Sequence, residues 1–183
     1  MLALASPALV QIPPPPMNFR AARWCDDSNM LLTPNPNRPL SACPAHFVRY
    51  AIFANGVILN ETPAAFERFL KEPRHGRLGP GTDLYLNSGG GIVDAGLALG
   101  RMVRSEQFST WVGTQATGAG LHSKPIAVPG FCASSCTLVF LGGVERYFSA
   151  GVFGLHRIYW NVSEVIPGFH ICRTWHNWKP RRS

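Results

Sequence analysis

Asp83-Leu84-Tyr85-Leu86-Asn87-Ser88-Gly89-Gly90-Gly91 reads as a short strand that runs into a glycine turn. Leu84, Tyr85 and Leu86 form a brief apolar run bounded by polar and turn-forming residues, the pattern of a buried strand. From Ile92 the pattern turns helical. Val93, Leu97 and Met102 can face a core while Arg101, Arg104 and Glu106 face water. Thr110-Trp111-Val112 is the next strand. Strand, glycine turn, helix, strand is a βαβ unit, right-handed by the general rule, and it places the chain in the α/β class.

Downstream, residues 113–125 have loop composition, and Ile126-Ala127-Val128 is a short strand. Ser134 to Leu141 is apolar and free of breakers, with Gly142 and Gly143 as its stop, so it reads as a helix. Arg146-Tyr147-Phe148 and Val152-Phe153-Gly154-Leu155 read as two further strands, the second delivering His156.

Upstream, Phe47 to Ala54 is a strand, Asn55-Gly56 a turn, and Val57-Ile58-Leu59 the start of a second short strand. Thr62-Pro63 opens a helix, with threonine as N-cap and proline at the first helical position. Phe66, Phe69 and Leu70 give that helix an apolar stripe. Residues 17–45 hold four prolines with several Asn, Asp and Ser residues, which is loop composition rather than core. Three regions follow: a proline-rich arm over 1–45, a core over 46–157, and a basic, tryptophan-rich tail over 158–183 with no clear period.

The 183 residues suffice for one domain with a sizeable core, and no apolar run is long enough to cross a membrane. The net charge of +7 is concentrated at the ends, in Arg20, Arg23, Arg173, Lys179, Arg181 and Arg182. The tail lacks a dense Lys/Arg run, so a solvated end is favoured over a nucleic-acid partner. The five cysteines show no CxxC spacing, and no metal or cofactor is expected. Cys25 with Cys43, and Cys132 with Cys136, are candidate disulfides in an exported protein; the alternative for the second pair is apolar packing. Residues 1–16, MLALASPALVQIPPPP, read either as the remnant of an export signal or as an extended proline-rich arm. There is no GxxxxGK[ST] motif, so any ATP-driven unfolding motor is a separate protein.

Taken singly, a triple glycine is an ordinary turn, a Ser-Ser pair at a helix start an ordinary cap, and one histidine a structural residue. Their order points to chemistry. A serine hydroxyl becomes a nucleophile when a base takes its proton. Backbone N–H groups in a preformed turn stabilise the resulting oxyanion. Ser134 also stands at the positive end of a helix dipole.

In these motifs the chain resembles the Clp protease proteolytic subunit and its relatives in the Clp/crotonase superfamily. Tyr85 to Gly91, followed by Ile92-Val93-Asp94-Ala95-Gly96, is similar to the family's Tyr-Ile-Asn-Ser-Pro-Gly-Gly and amphipathic helix. Ala133-Ser134-Ser135-Cys136 is similar to the segment around the family nucleophile. Glu145-Arg146-Tyr147 and Gly154-Leu155-His156 are similar to the Lys-Arg-Phe segment and the strand-borne histidine. The likeness covers roughly residues 47–157, and the Cys-Ala-Ser-Ser-Cys form looks most like a bacterial branch of periplasmic Clp-like proteins.

The resemblance implies a spiral of repeated ββα units, here C-terminally shortened, and a serine peptidase. Ser134 would be the nucleophile and His156 the general base. Gly91 and Ser135 would supply the oxyanion-hole N–H groups, with Gly90 shaping the turn. It also implies a peptide or protein substrate, homo-oligomers and a periplasmic location, against a cytoplasmic alternative. Two departures stand out. Gly89 replaces a family proline, and no residue matches the triad acid: Glu164 is the lone acid among the 27 residues after His156. Lys124, the lysine nearest Ser134 in sequence, matches no motif of the superfamily's lysine-dependent peptidases. The competing readings are a non-catalytic relative that binds peptide or supports assembly, and an acyl-CoA enzyme of the crotonase type. The latter needs no Ser/His pair and is disfavoured.

Overall fold

The computed structural model describes residues 14–26, 40–76, 78–115, 127–148 and 151–155. Expectations for residues 1–13, Lys124, His156, Glu164 and the tail lie outside the described residues.

A mixed α/β architecture is built on a five-stranded sheet. Its strands are β1 (Asn18–Cys25), β2 (Val48–Asn55), β3 (Asp83–Asn87), β4 (Ser109–Val112) and β8 (Arg146–Tyr147), in that spatial order. β1 is antiparallel to β2, and the pairs from β2 to β8 are all parallel. Two small pairs stand beside it: β5 (Thr114–Gln115) with β6 (Ala127–Val128), antiparallel, and β7 (Gly130–Ala133) with β9 (Gly151–Gly154), parallel.

Three helices, α1 (Thr62–Leu70), α2 (Val93–Ser105) and α3 (Ser135–Gly142), pack on one face of the sheet. Ile52, Leu84, Leu86 and Val112 from the strands meet Phe66, Leu99, Val103 and Val139 from the helices. Phe66 is fully buried, and burying such a ring contributes about 1.5–3 kcal/mol. The other face carries Ala22, Trp24, Ala51 and Phe53. There Phe53, Tyr85, Trp111 and Tyr147 lie in register on adjacent strands, and their rings stack in sequence at 4.9, 5.6 and 4.1 Å. Same-face neighbours on paired strands stabilise a sheet in this way.

The structure corrects five expectations, one of them the reading of residues 113–125 as loop: Thr114–Gln115 within it is strand β5, held by its pairing with β6. Asn18–Cys25 is not loop but the edge strand β1, paired along its length with β2, and Trp24 and Ala22 are buried. The flanking prolines dominate the local composition, whereas the strand is defined by its distant partner. Val57 and Ile58 form isolated bridges rather than a strand, and Ile58 bridges to Gly91. Thr62 is the first helical residue and not a cap: its hydroxyl accepts the Leu59 N–H at 2.8 Å. The buried stripe of α2 is Ala95, Gly96, Leu99, Gly100 and Val103, while Leu97 is 38% exposed. Small residues face inward because α3 lies almost backbone to backbone. A Cβ on Gly96 would stand 2.7 Å from the Ser135 carbonyl oxygen, and one on Gly100 2.6 Å from that of Leu138.

Candidate functional site

The site forms where two strand-to-helix turns touch. β3 runs on into Ser88, whose backbone bridges Cys132 of β7: Ser88 N–H donates to Phe131 O at 2.6 Å, and Ala133 N–H donates to Ser88 O at 3.0 Å. This parallel pairing sets the glycine turn of β3 against the end of β7. The Ser88 hydroxyl accepts the Gly90 N–H at 3.0 Å and tightens that turn.

Gly90 and Gly91 take φ values of +94° and +144°, which side chains rarely tolerate. Space forbids a side chain as well. A Cβ on Gly90 would stand 2.6 Å from both the Ser134 Cβ and the Ala133 carbonyl oxygen. One on Gly91 would stand 2.0 Å from the Ile58 carbonyl oxygen. The glycine turn is therefore in direct contact with Ser134.

Ser134 is the single residue between β7 and α3. Its backbone, φ 55° and ψ −129°, lies far from helix and strand alike, and among the described residues only Gln107 shares a positive φ without being glycine. Such a conformation costs about 1–3 kcal/mol and persists where its surroundings over-determine it. Those surroundings are visible. The Ser134 N–H donates to Gly154 O of β9 at 3.0 Å. Its carbonyl accepts the Thr137 N–H at 3.0 Å and the Thr137 hydroxyl at 2.6 Å. A disulfide joins Cys132 to Cys136 across the turn. A sharp strand-to-helix turn that holds a serine at strained φ/ψ is the device that presents a nucleophilic hydroxyl in α/β hydrolases.

The two serines differ in their surroundings. Ser134 is half-buried. Ser135 is 2% exposed, and its hydroxyl makes no hydrogen bond among the described residues. As the first residue of α3, Ser135 has a backbone N–H with no acceptor within the helix. The Gly91 N–H is likewise not used by the bridge to Ile58, whose two bonds run through Gly90 O and Ile92 N–H. Gly91 is exposed, and its neighbour Gly90 stands against Ser135 N. Gly91 and Ser135 are thus the chain neighbours of the two residues in contact, Gly90 and Ser134.

Strand β9 ends at Gly154, already bonded to Ser134, and His156 follows two residues later, outside the described residues. Among the described residues, no group of three or more His, Cys, Asp or Glu side chains could hold a metal ion. The sequence reading missed β7, and with it the contact that brings Ser134 to the glycine turn. It also missed Thr137, whose hydroxyl at helix position three was the available signal.

Comparison of the chain with protein-family models, with curated proteins and with solved structures finds no match.

Proposed function

We propose that the chain is a Clp-like serine peptidase with Ser134 as nucleophile, on a Clp/crotonase-like spiral core. One observation carries the reading: a non-glycine residue, Ser134, held at φ 55° and ψ −129° on a strand-to-helix turn in contact with a glycine turn. The two strand–turn–helix units, β3 to α2 and β7 to α3, support the spiral, since each helix follows a strand of a parallel pair.

In this reading His156 takes the proton of the Ser134 hydroxyl as the oxygen attacks a peptide carbonyl. The tetrahedral oxyanion receives hydrogen bonds from the Gly91 and Ser135 N–H groups. The proton passes to the leaving amine, the C–N bond breaks, and water then hydrolyses the acyl-serine ester. No acid is assigned to orient His156. A serine–histidine pair without one is expected to turn over about 10⁴-fold more slowly than a full triad. The disulfides Cys25–Cys43 and Cys132–Cys136 support an exported location, because such bonds persist in oxidising compartments.

The test is labelling of the folded protein with a fluorophosphonate probe, with Ser134→Ala as control and circular dichroism to show that both fold. Labelling of the wild type alone is expected. A folded wild-type protein that does not label would overturn the catalytic reading and leave a peptide-binding relative of the same fold.

A further inference from the structure

We infer that the Cys132–Cys136 disulfide is a positioning element for Ser134. The inference rests on Ser134 being the reactive serine. The two cysteines lie two residues before and two residues after it, one in β7 and one in the first turn of α3, with Cα atoms 5.4 Å apart. Both are fully buried in the core on the helix side of the sheet. The bridge therefore clamps the strand and the helix together beneath the one residue that must sit at positive φ between them.

The other restraints on Ser134 act from elsewhere. β9 holds its N–H through Gly154, and Thr137 holds its carbonyl. Each is a hydrogen bond that the turn could exchange for another on relaxing. The disulfide is the restraint that cannot be exchanged, and it acts on both flanks of the residue at once. A bridge that encloses so short a segment restricts the unfolded chain less than one that closes a long loop. Cys25–Cys43, with a sequence separation of 18, is the general staple by that measure. The Cys132–Cys136 bridge acts mainly on local geometry.

The experiment compares two double variants, Cys132→Ala/Cys136→Ala and Cys25→Ala/Cys43→Ala, with the wild type. Fluorophosphonate labelling is followed over a range of probe concentrations, so that the maximal rate separates from the affinity for the probe, and thermal unfolding is recorded on each. The first variant is expected to keep its fold and its probe affinity but to lose between about tenfold and 10²-fold in maximal labelling rate, the scale on which misplacing a nucleophile acts. The second is expected to label at the wild-type rate.

A measurement without substitution at the bridge uses the Cys25→Ala/Cys43→Ala protein treated with dithiothreitol. The remaining bridge gains two electrons and two protons to give two thiols, while the dithiol is oxidised to its cyclic disulfide. Thiols are counted by mass spectrometry after alkylation. The labelling rate is expected to fall on reduction and to return on reoxidation. An unchanged rate with both thiols free, or equal losses in the two double variants, would overturn the inference. So would loss of the fold on removing the bridge by either route, which would make it a general staple. A wild type that does not label removes the nucleophile reading and the inference with it. A wild type that labels, with an equally reactive bridge variant, removes the inference alone.

Discussion

The turn from β3 into α2 and the turn from β7 into α3 face the same geometric problem with different residues. Both must swing the chain out of a strand and into a helix, and they touch each other while doing so. The first is made of glycines, which accept positive φ at little steric cost. The second places a serine where glycine would be the comfortable choice, and then restrains it with Gly154, Thr137 and a disulfide. Glycine at positions 90 and 91 is explained by backbone conformation and space together. Serine at position 134 is opposed by its backbone, so its hydroxyl is what the position keeps. That difference separates a scaffold turn from a candidate reactive one.

The comparison is easiest to break at Gly90. Alanine there would bring its Cβ within 2.6 Å of the Ala133 carbonyl oxygen, a backbone atom that cannot swing away, at a φ that alanine resists. Gly90→Ala is expected to cost about 2–4 kcal/mol and to depress labelling of Ser134 with it. Denaturant unfolding and probe labelling measure the two effects. Wild-type stability in this variant would mean that the two turns are not in the contact described.

A smaller effect sharpens the other side. At an ordinary position glycine is less stable than alanine by up to about 1 kcal/mol. At position 134 the order should reverse: Ser134→Gly is expected to exceed Ser134→Ala by about 1 kcal/mol in unfolding free energy, and neither should label. If alanine proves the more stable, Ser134 is not strained and the contrast between the turns fails.

These turns also show what the sequence could reveal. The β3 turn was legible because its signals are local: an apolar triplet, then Asn-Ser and three glycines. Ser134 was singled out for a local reason too, as the serine opening an apolar helix. Strand β7 was not legible. Gly130-Phe131-Cys132-Ala133 is short and runs straight into the helix, and it becomes a strand only by pairing with Ser88 and β9. Strand β1 was hidden in the same way, since its partner β2 lies beyond a proline-rich stretch. The buried face of α2 misled for a different reason. Hydropathy selects Leu97, but the close approach of α3 selects Gly96 and Gly100. Local chemistry was readable; non-local pairing and backbone contact were not.

The smallest expected effect serves as a control on the comparison. Asp83 begins β3, on the sheet face away from the helices, and accepts the Trp111 indole N–H at 2.8 Å. Four residues of strand, Leu84 to Asn87, at roughly 3.3 Å each, separate it from the turn at Ser88. Burial pushes its carboxyl above the ordinary range, opposed by the Trp111 hydrogen bond and the nearby Arg49 charge. The folded protein therefore holds this proton more tightly than the unfolded chain does. The resulting stabilisation is full below the unfolded pKa and is lost as pH rises through the higher folded one. Tyr85 shifts the same way, from 10.0 to about 12, through burial and then the Asp83 charge, so its contribution is lost at high pH. Asp83→Asn keeps an acceptor for Trp111 and removes the first of these losses. Between about pH 3 and 7, wild-type stability should fall relative to the variant as pH rises, as read from urea midpoints. Labelling of Ser134 should be the same in both proteins at every pH. A labelling rate that followed Asp83 would show that the β3 turn transmits charge from the far face, and the glycine turn could then no longer be treated as a passive scaffold beside a strained serine.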